Sequence, residues 1–268
     1  MRMRTDVRAY LLVAGFSLLL AAIFVSHVFA GPPAPDFLLK AEKLETAVFL
    51  DAQIKAYPTL ASNCLSEGRN WAQKQHAEIV EGRLNQKSGE VFDENYRRDY
   101  QFLSLVADRY VSIIRTDSWS PGHGAEIDTI LWDRAAGRRI SVRPFFRETA
   151  DGGATLTAMQ GAIIAALKRA KARKGLDTAE DVAAEMTEYK QRFHPSLLTI
   201  GPASLAPSTV ASKSSGLIFH YGLYVIGDYS TGSFDAFVPW KILQPYLTPE
   251  GLRIFGSARP KADDEGEQ

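Results

Sequence analysis

The sequence predicts an α+β fold: antiparallel sheets with helices packed on one face, in two closely packed subdomains. Three observations carry that expectation. Short runs rich in β-branched and aromatic residues fill 100–142 and are joined by tight turns, and short connections favour antiparallel neighbours. Two segments of helical period follow between 156 and 193, and a further block of strands begins at 217. Strands gathered before and after segregated helices make α+β, not an alternating order of strand and helix.

The first thirty residues read as an export leader. Arg2, Arg4 and Arg8 precede an apolar run over 9–25, and Val28 and Ala30 suit a signal peptidase cutting after Ala30. The alternative is an uncleaved anchor, because 9–30 is about the 20 residues that a bilayer crossing needs. Against it, Ser26 and His27 interrupt the run, and the Pro-rich stretch 31–35 gives an extended exit that presents the site to a peptidase. Either way the arginines stay inside and the body is expected in the periplasm or outside the cell. A membrane is a partner only if the leader stays uncut.

Residues 46–57 then read as a strand, with Val48, Leu50, Ala52 and Ile54 alternating and Pro58 closing the segment. Residues 65–84 read as a helix with Leu65, Ala72, His76, Ile79 and Leu84 near one face, Gly68 weakening its first turn. Residues 87–94 form a polar loop around Gly89. Strands are expected at 100–107, 110–116, 126–132 and 139–142, connected at Asp108-Arg109 and at 133–137 as a meander.

Leu156, Met159, Ile163, Leu167 and Ala170 mark the next helix, which has basic last turns and is ended by Gly175. Asp177 with Glu180 caps another, with Val182, Met186, Tyr189 and Phe193 as its stripe and Pro195 as its stop. Strands at 217–221, 224–226 and 234–238 are broken by Gly222, Gly227 and Gly232, and Pro239 opens a short helix over 240–247. The expected organisation is therefore a leader (1–30), a strand–helix subdomain (31–95), a main α+β domain (96–250) and a disordered tail (251–268). The tail's last residues hold Pro260 and the acidic run Asp263-Asp264-Glu265.

Composition excludes several classes of function. The 31 Lys and Arg balance 31 Asp and Glu, so no basic face for nucleic acid is implied. The single Cys64 rules out an internal disulfide framework, lies far from the end of the leader, and reads as a buried, inert thiol. The five histidines include no pair at metal-binding spacing. No G-x-S-x-G elbow, S-x-x-K or Gly-rich phosphate loop occurs. No catalytic residue, metal or other cofactor is expected.

Two stretches stand out as candidate ligand contacts. In 119–125, Trp119 offers a stacking platform, and glycines on both sides of His123 let the backbone approach a ligand. The plainer reading is a conformational loop between strands. In 221–229, Tyr224, Asp228 and Tyr229 combine aromatic faces with a carboxylate, as suits the apolar C–H faces and hydroxyl rims of sugars. The plainer reading is strand aromatics in the core.

These stretches also resemble a known family. Tyr110-Val111-Ser112, Gly122-His123-Gly124-Ala125, Thr129 to Asp133, Gly137 to Ile140 and Phe145-Phe146 occur in the order seen in the extracytoplasmic domain of RsiV-type anti-sigma factors and the non-catalytic domains of PdaC-type peptidoglycan deacetylases. Gly216 to Tyr221, Tyr224, Tyr229 to Gly232 and Phe237 to Trp240 resemble that family's closing strands and its Ile-Pro-Tyr helix entry. Upstream, 54–60 is similar to the strand-Tyr-Pro entry of the domain that commonly precedes it. Two departures are plain: the family's Gly-Gly-Ala-His order is Gly-His-Gly-Ala here, and the Pro before the second tyrosine is Asp228. The resemblance implies a cell-envelope recognition module without the deacetylase catalytic domain.

The leading expectation is thus an exported, non-catalytic module that binds a cell-wall glycan or a glycan-active protein such as a lysozyme, through Trp119, His123, Tyr224, Asp228 and Tyr229. The alternatives are an exported hydrolase or deacetylase, with His123 as base and Asp128 or Asp228 as orienter, and a structural envelope protein that pairs through an exposed edge strand.

Overall fold

The computed structural model describes residues 33–85, 92–121, 124–175, 188–227 and 231–261. Strands β1 (Phe37–Ala41), β2 (Leu44–Leu50), β3 (Glu94–Val106), β4 (Tyr110–Ser120), β5 (Gly124–Asp133) and β6 (Arg138–Ile140) form one sheet in sequence order. Strands β7 (Ala203–Leu205), β8 (Gly216–Tyr221) and β9 (Phe234–Pro239) form a second, antiparallel sheet. The α+β expectation holds, and β3 to β6 are the expected meander, with Ala107 and Asp108 turning β3 into β4 at positive φ.

One pair departs from antiparallel order: β2 and β3 run parallel. A parallel pair needs a crossover, and α1 (Ala52–Lys55) and α2 (Pro58–Asn85) supply it. This corrects the expected strand over 46–57. The strand ends at Leu50, because the Asp51 side chain accepts the Gln53 N–H at 2.8 Å and caps α1. Pro58 does not close a strand; it opens α2, where its missing N–H costs nothing. Because the sheet takes strands from both sides of residue 95, no structural break falls at the expected subdomain boundary.

The buried stripe of α2 is Leu60, Cys64, Gly68 and Ala72, and of the expected apolar stripe only Ala72 is buried; Leu84 is 82% exposed. Gly68 sits in mid-helix because the sheet comes close: a Cβ there would lie 2.6 Å from Val48 Cγ1. The stripe packs on Val48, Leu50, Tyr100, Val111, Ile113, Ile130 and Trp132, the core on one face of the first sheet. Buried there, the Cys64 thiol is pushed up to about 12 and stays protonated.

The opposite face carries the larger core. Val106, Tyr110 and Leu131 meet α3 (Ala154–Lys174), Tyr189, Phe193 and the inward residues of the second sheet. As expected, α3 buries Leu156, Met159, Ile163, Leu167 and Ala170, and Gly175 ends it at φ 63°. The expected cap of the following helix, Asp177 with Glu180, and its Val182 and Met186 lie outside the described residues, while the helix itself is present at 188–192.

Several further expectations change. Strands β1 and β7 were absent from the sequence reading, and 224–226 is a turn, not a strand. Pro239 is the N-cap of α4 (Trp240–Leu243), one position before the first turn. The segment from 251 is not a free tail up to 261. It continues α5 (Pro249–Ile254), capped by Thr248, and buries Ile254 and Phe255. Ala258 accepts the Thr209 N–H, and the Arg259 guanidinium lies 4.5 Å over the Phe237 ring. Residues 262–268 lie outside the described residues.

One charge cluster joins α2 to the first sheet. Glu67 accepts from Arg115 of β4 and from Arg139 of β6, and Arg98 of β3 lies 3.8 Å away. Arg98 grips Asp117 through two hydrogen bonds of 2.6 and 2.5 Å beneath the Trp71 ring. Burial pulls the Glu67 carboxyl upward, but Arg139, Arg115 and Arg98 outweigh it and hold the group below its usual range. A depressed carboxyl contributes stability above its unfolded pKa of about 4.3 and loses it as pH falls through the folded value. Glu67→Gln should therefore cost about 1–3 kcal/mol at neutral pH and flatten the fall in stability below about pH 4.3. Urea titrations of both proteins between neutral and acid pH check this; parallel curves would remove the clamp.

Candidate functional site

A cleft of about 340 Å³ opens where the two sheets approach each other. One wall is β5 at 125–127, and the other is built from 199–202 and 220–225. The cleft exists because β6 covers β5 only at 131–133, so the start of β5, paired with β4 on one side, has no strand on its other edge. Two devices close this edge to pairing. The Asp128 side chain accepts the Thr129 N–H at 2.7 Å, and Gly222 sits so close that a Cβ there would be 3.2 Å from the Ala125 carbonyl.

The far wall is tied down at several points. The Tyr221 hydroxyl donates to Ile200 O at 2.8 Å, the Tyr189 hydroxyl to Ile226 O at 2.6 Å, and the Arg192 guanidinium to Val225 O. Burial pushes the Tyr221 phenol well above its usual range, so it remains a donor. Gly201, at φ 115°, lets Tyr221 pass, since a Cβ there would meet its ring at 2.8 Å. Between the cleft residues Leu223 and Val225, Tyr224 is held at φ 64° with its side chain 57% exposed. A bulky residue in the left-handed region costs on the order of 1–3 kcal/mol, and such strain gathers at ligand sites.

His220 stands in the cleft wall and links three strands. Its Nε2 lies 2.8 Å from Ser204 Oγ on β7, and its Nδ1 lies 2.8 Å from Asp235 Oδ1 on β9. The atoms match a hydrolytic triad, but the surroundings do not. Ser204 is 2% exposed while the Asp235 side chain is 50% exposed, the reverse of what an attacking hydroxyl and its buried orienter need. The Ser204–Ile218 pairing sits between the ladder bonds His220 N–H to Pro202 O and Ala206 N–H to Gly216 O, so the Ser204 amide faces β8. The next amide, Leu205, donates to Ser112 Oγ. The Ser204 and Leu205 amides are thereby both committed, and neither is left to serve an oxyanion. The chain of bonds is a cross-strand tie.

The expected contact residues divide. The backbone flanking the first loop, 125–127, and that of the second, 222–225, share the cleft. Tyr224 lies between the lining residues Leu223 and Val225, beside the cleft and not part of its lining. Trp119 does not: it pairs with Gly124 and Tyr96 in register with Asp117 and Arg98, so its side chain lies on the α2 face of the sheet. The close approach that Gly124 permits is to Trp119 itself, whose Cζ2 would be 1.7 Å from a Cβ. Asp128, offered as an orienter for a His123 base, instead pairs with Arg115 at 3.1 Å. His123, Asp228 and Tyr229 lie outside the described residues. Among the described residues, no three His, Cys, Asp or Glu side chains could hold a metal ion.

Sequence reasoning missed His220, Thr199 and the Ser204–Asp235 tie. The available signal was the period of 216–221, which puts His220 opposite the buried Leu217, Phe219 and Tyr221.

No protein-family model and no curated protein matches the sequence. Among solved structures, the chain is similar to a DUF3298 family protein from Pseudomonas aeruginosa PAO1 at 14% identity, over 84% of this chain and 98% of that one, with a TM-score of 0.47. It is also similar to a DUF3298 family member from Bacteroides fragilis NCTC 9343 at 14% identity, over 73% and 71% of the two chains, with a TM-score of 0.43.

If Ser204 serves the tie and not catalysis, Ser204→Ala lowers stability by about 1 kcal/mol and leaves hydrolysis of an activated ester at the parent's background. Covalent labelling of Ser204 by a fluorophosphonate, lost in the variant, would contradict that assignment.

Proposed function

We propose that the chain is an exported, non-catalytic cell-envelope module that holds a cell-wall glycan in the cleft between β5 and the 220–225 turn. The observation that carries this reading is the convergence of the two candidate loops' flanks on one concave surface, with a strained tyrosine at its rim. The size agrees, since about 340 Å³ lies in the range of small-ligand sites. The residues that best imitate catalytic machinery are tied to one another, and of the three only His220 lines the cleft, with both ring nitrogens engaged. The leader supports delivery across the inner membrane. Among the described residues no helix is long and apolar enough to cross a membrane.

The test uses the chain without its leader against purified peptidoglycan and against immobilised lysozyme. A second protein carries Thr199→Trp, which fills the cleft from an exposed position. The expected result is retention on peptidoglycan, weakened about tenfold by the tryptophan, which is about 1.4 kcal/mol, with the circular-dichroism spectrum of the folded protein unchanged. Retention on lysozyme alone would move the ligand from glycan to protein. Retention on neither would end the proposal.

A further inference from the structure

We infer that the cleft takes a single uncharged sugar ring end-on and that Tyr224 supplies the aromatic face for the ring beside it. This deepens the glycan reading above and rests on it. The chemistry of the lining selects the class of ligand. Ile127, Phe193, Pro202, Leu223 and Val225 present apolar surface, while Thr199, His220, Tyr221 and Glu126 are the lining residues with polar side-chain groups. Both ring nitrogens of His220 are already engaged, and the Thr199 hydroxyl donates to His194 O at 2.8 Å, which leaves its oxygen only as an acceptor.

Among the described residues, no lysine or arginine lines the cleft. A phosphate or carboxylate there would lose its hydration with no counter-charge, at a cost that rules out tight binding. A cation fares no better. Glu126, the one carboxylate in the lining, pairs with Asp117 across the β4–β5 ladder, and alternation turns its side chain to the α2 face, away from the wall formed by Ala125 and Ile127. What remains is a neutral ligand with an apolar body and hydroxyl edges.

Volume and the rim decide the rest. The cleft lies at the small end of ligand pockets, so it admits one ring and not a chain. The next ring emerges at the rim, where Tyr224 is more than half exposed on a turn anchored through Val225 O and Ile226 O.

The experiment titrates the leaderless chain with neutral N-acetylglucosamine oligomers of two to four rings. Their de-acetylated, cationic counterparts and anionic galacturonate oligomers are run in parallel, at low and high salt. The neutral oligomers are expected to bind with little dependence on salt. Tyr224→Phe should keep that binding, while Tyr224→Asn, which tolerates the same backbone, should weaken it about tenfold with the circular-dichroism spectrum of the folded protein unchanged. A preference for either charged oligomer, or undiminished binding by Tyr224→Asn, overturns the inference. Retention on peptidoglycan with no affinity for any neutral oligomer also sinks it, while leaving the broader glycan reading in place. Failure on every glycan, peptidoglycan included, removes both.

Discussion

The arrangement depends on a junction of two buried serines. Ser104 of β3 donates to Leu205 O at 2.7 Å, and Ser112 of β4 accepts the Leu205 N–H at 3.0 Å. Both polar groups of one residue in β7 are thereby satisfied by hydroxyls rising from the face of the first sheet. A buried amide or carbonyl left without a partner costs about 1–3 kcal/mol, so these two contacts fix where β7 can lie. From β7, the ladder fixes β8, and the tie from Ser204 through His220 to Asp235 carries the position on to β9. The gap between the first sheet and the end of β8 is the cleft. Its position follows from the serine bonds to Leu205, the β7–β8 ladder and the His220 tie.

The first sheet serves both halves of the body, which explains its uneven chemistry. One face receives α2 through small residues, Cys64, Gly68 and Ala72, that let helix and strands come close, and Glu67 of the same stretch gathers the arginine cluster. Each arginine sits beside a core residue on the neighbouring strand, Arg98 by Val48, Arg115 by Tyr100 and Arg139 by Trp132, and a bidentate pair such as Arg98 with Asp117 satisfies polar groups that are nearly buried. The other face carries the larger core with α3 and the second sheet. Trp119 belongs to the first face and the cleft to the second, which separates two features that adjoin in sequence.

What the sequence disclosed follows the strength of local signals. Helix α3 was readable because four large apolar residues and Ala170 repeat at helical spacing and a left-handed glycine ends it. The β3–β6 meander was readable because its connections are short. The start of α2 was hidden, since a stripe of leucine, cysteine, glycine and alanine has little apolar contrast and Asp51 followed by Pro58 resembles the end of a strand. Strand β7 is only three residues long, too short to show a period. Of the candidate site, Tyr224 was visible as an aromatic among glycines, but its positive φ was not. His220 and Thr199 were overlooked because the cleft is assembled from three separate segments, and much of its wall is backbone, which carries no sequence signature.

The most direct test of the proposal that this cleft holds a glycan is a map of amide chemical shifts in residues 31–268 as solubilised peptidoglycan fragments are added. The account predicts shifts concentrated at 125–127, 199–202 and 220–225, with the α2 face and Trp119 unmoved. Shifts centred on α2 or Trp119, with the cleft amides silent, would contradict it.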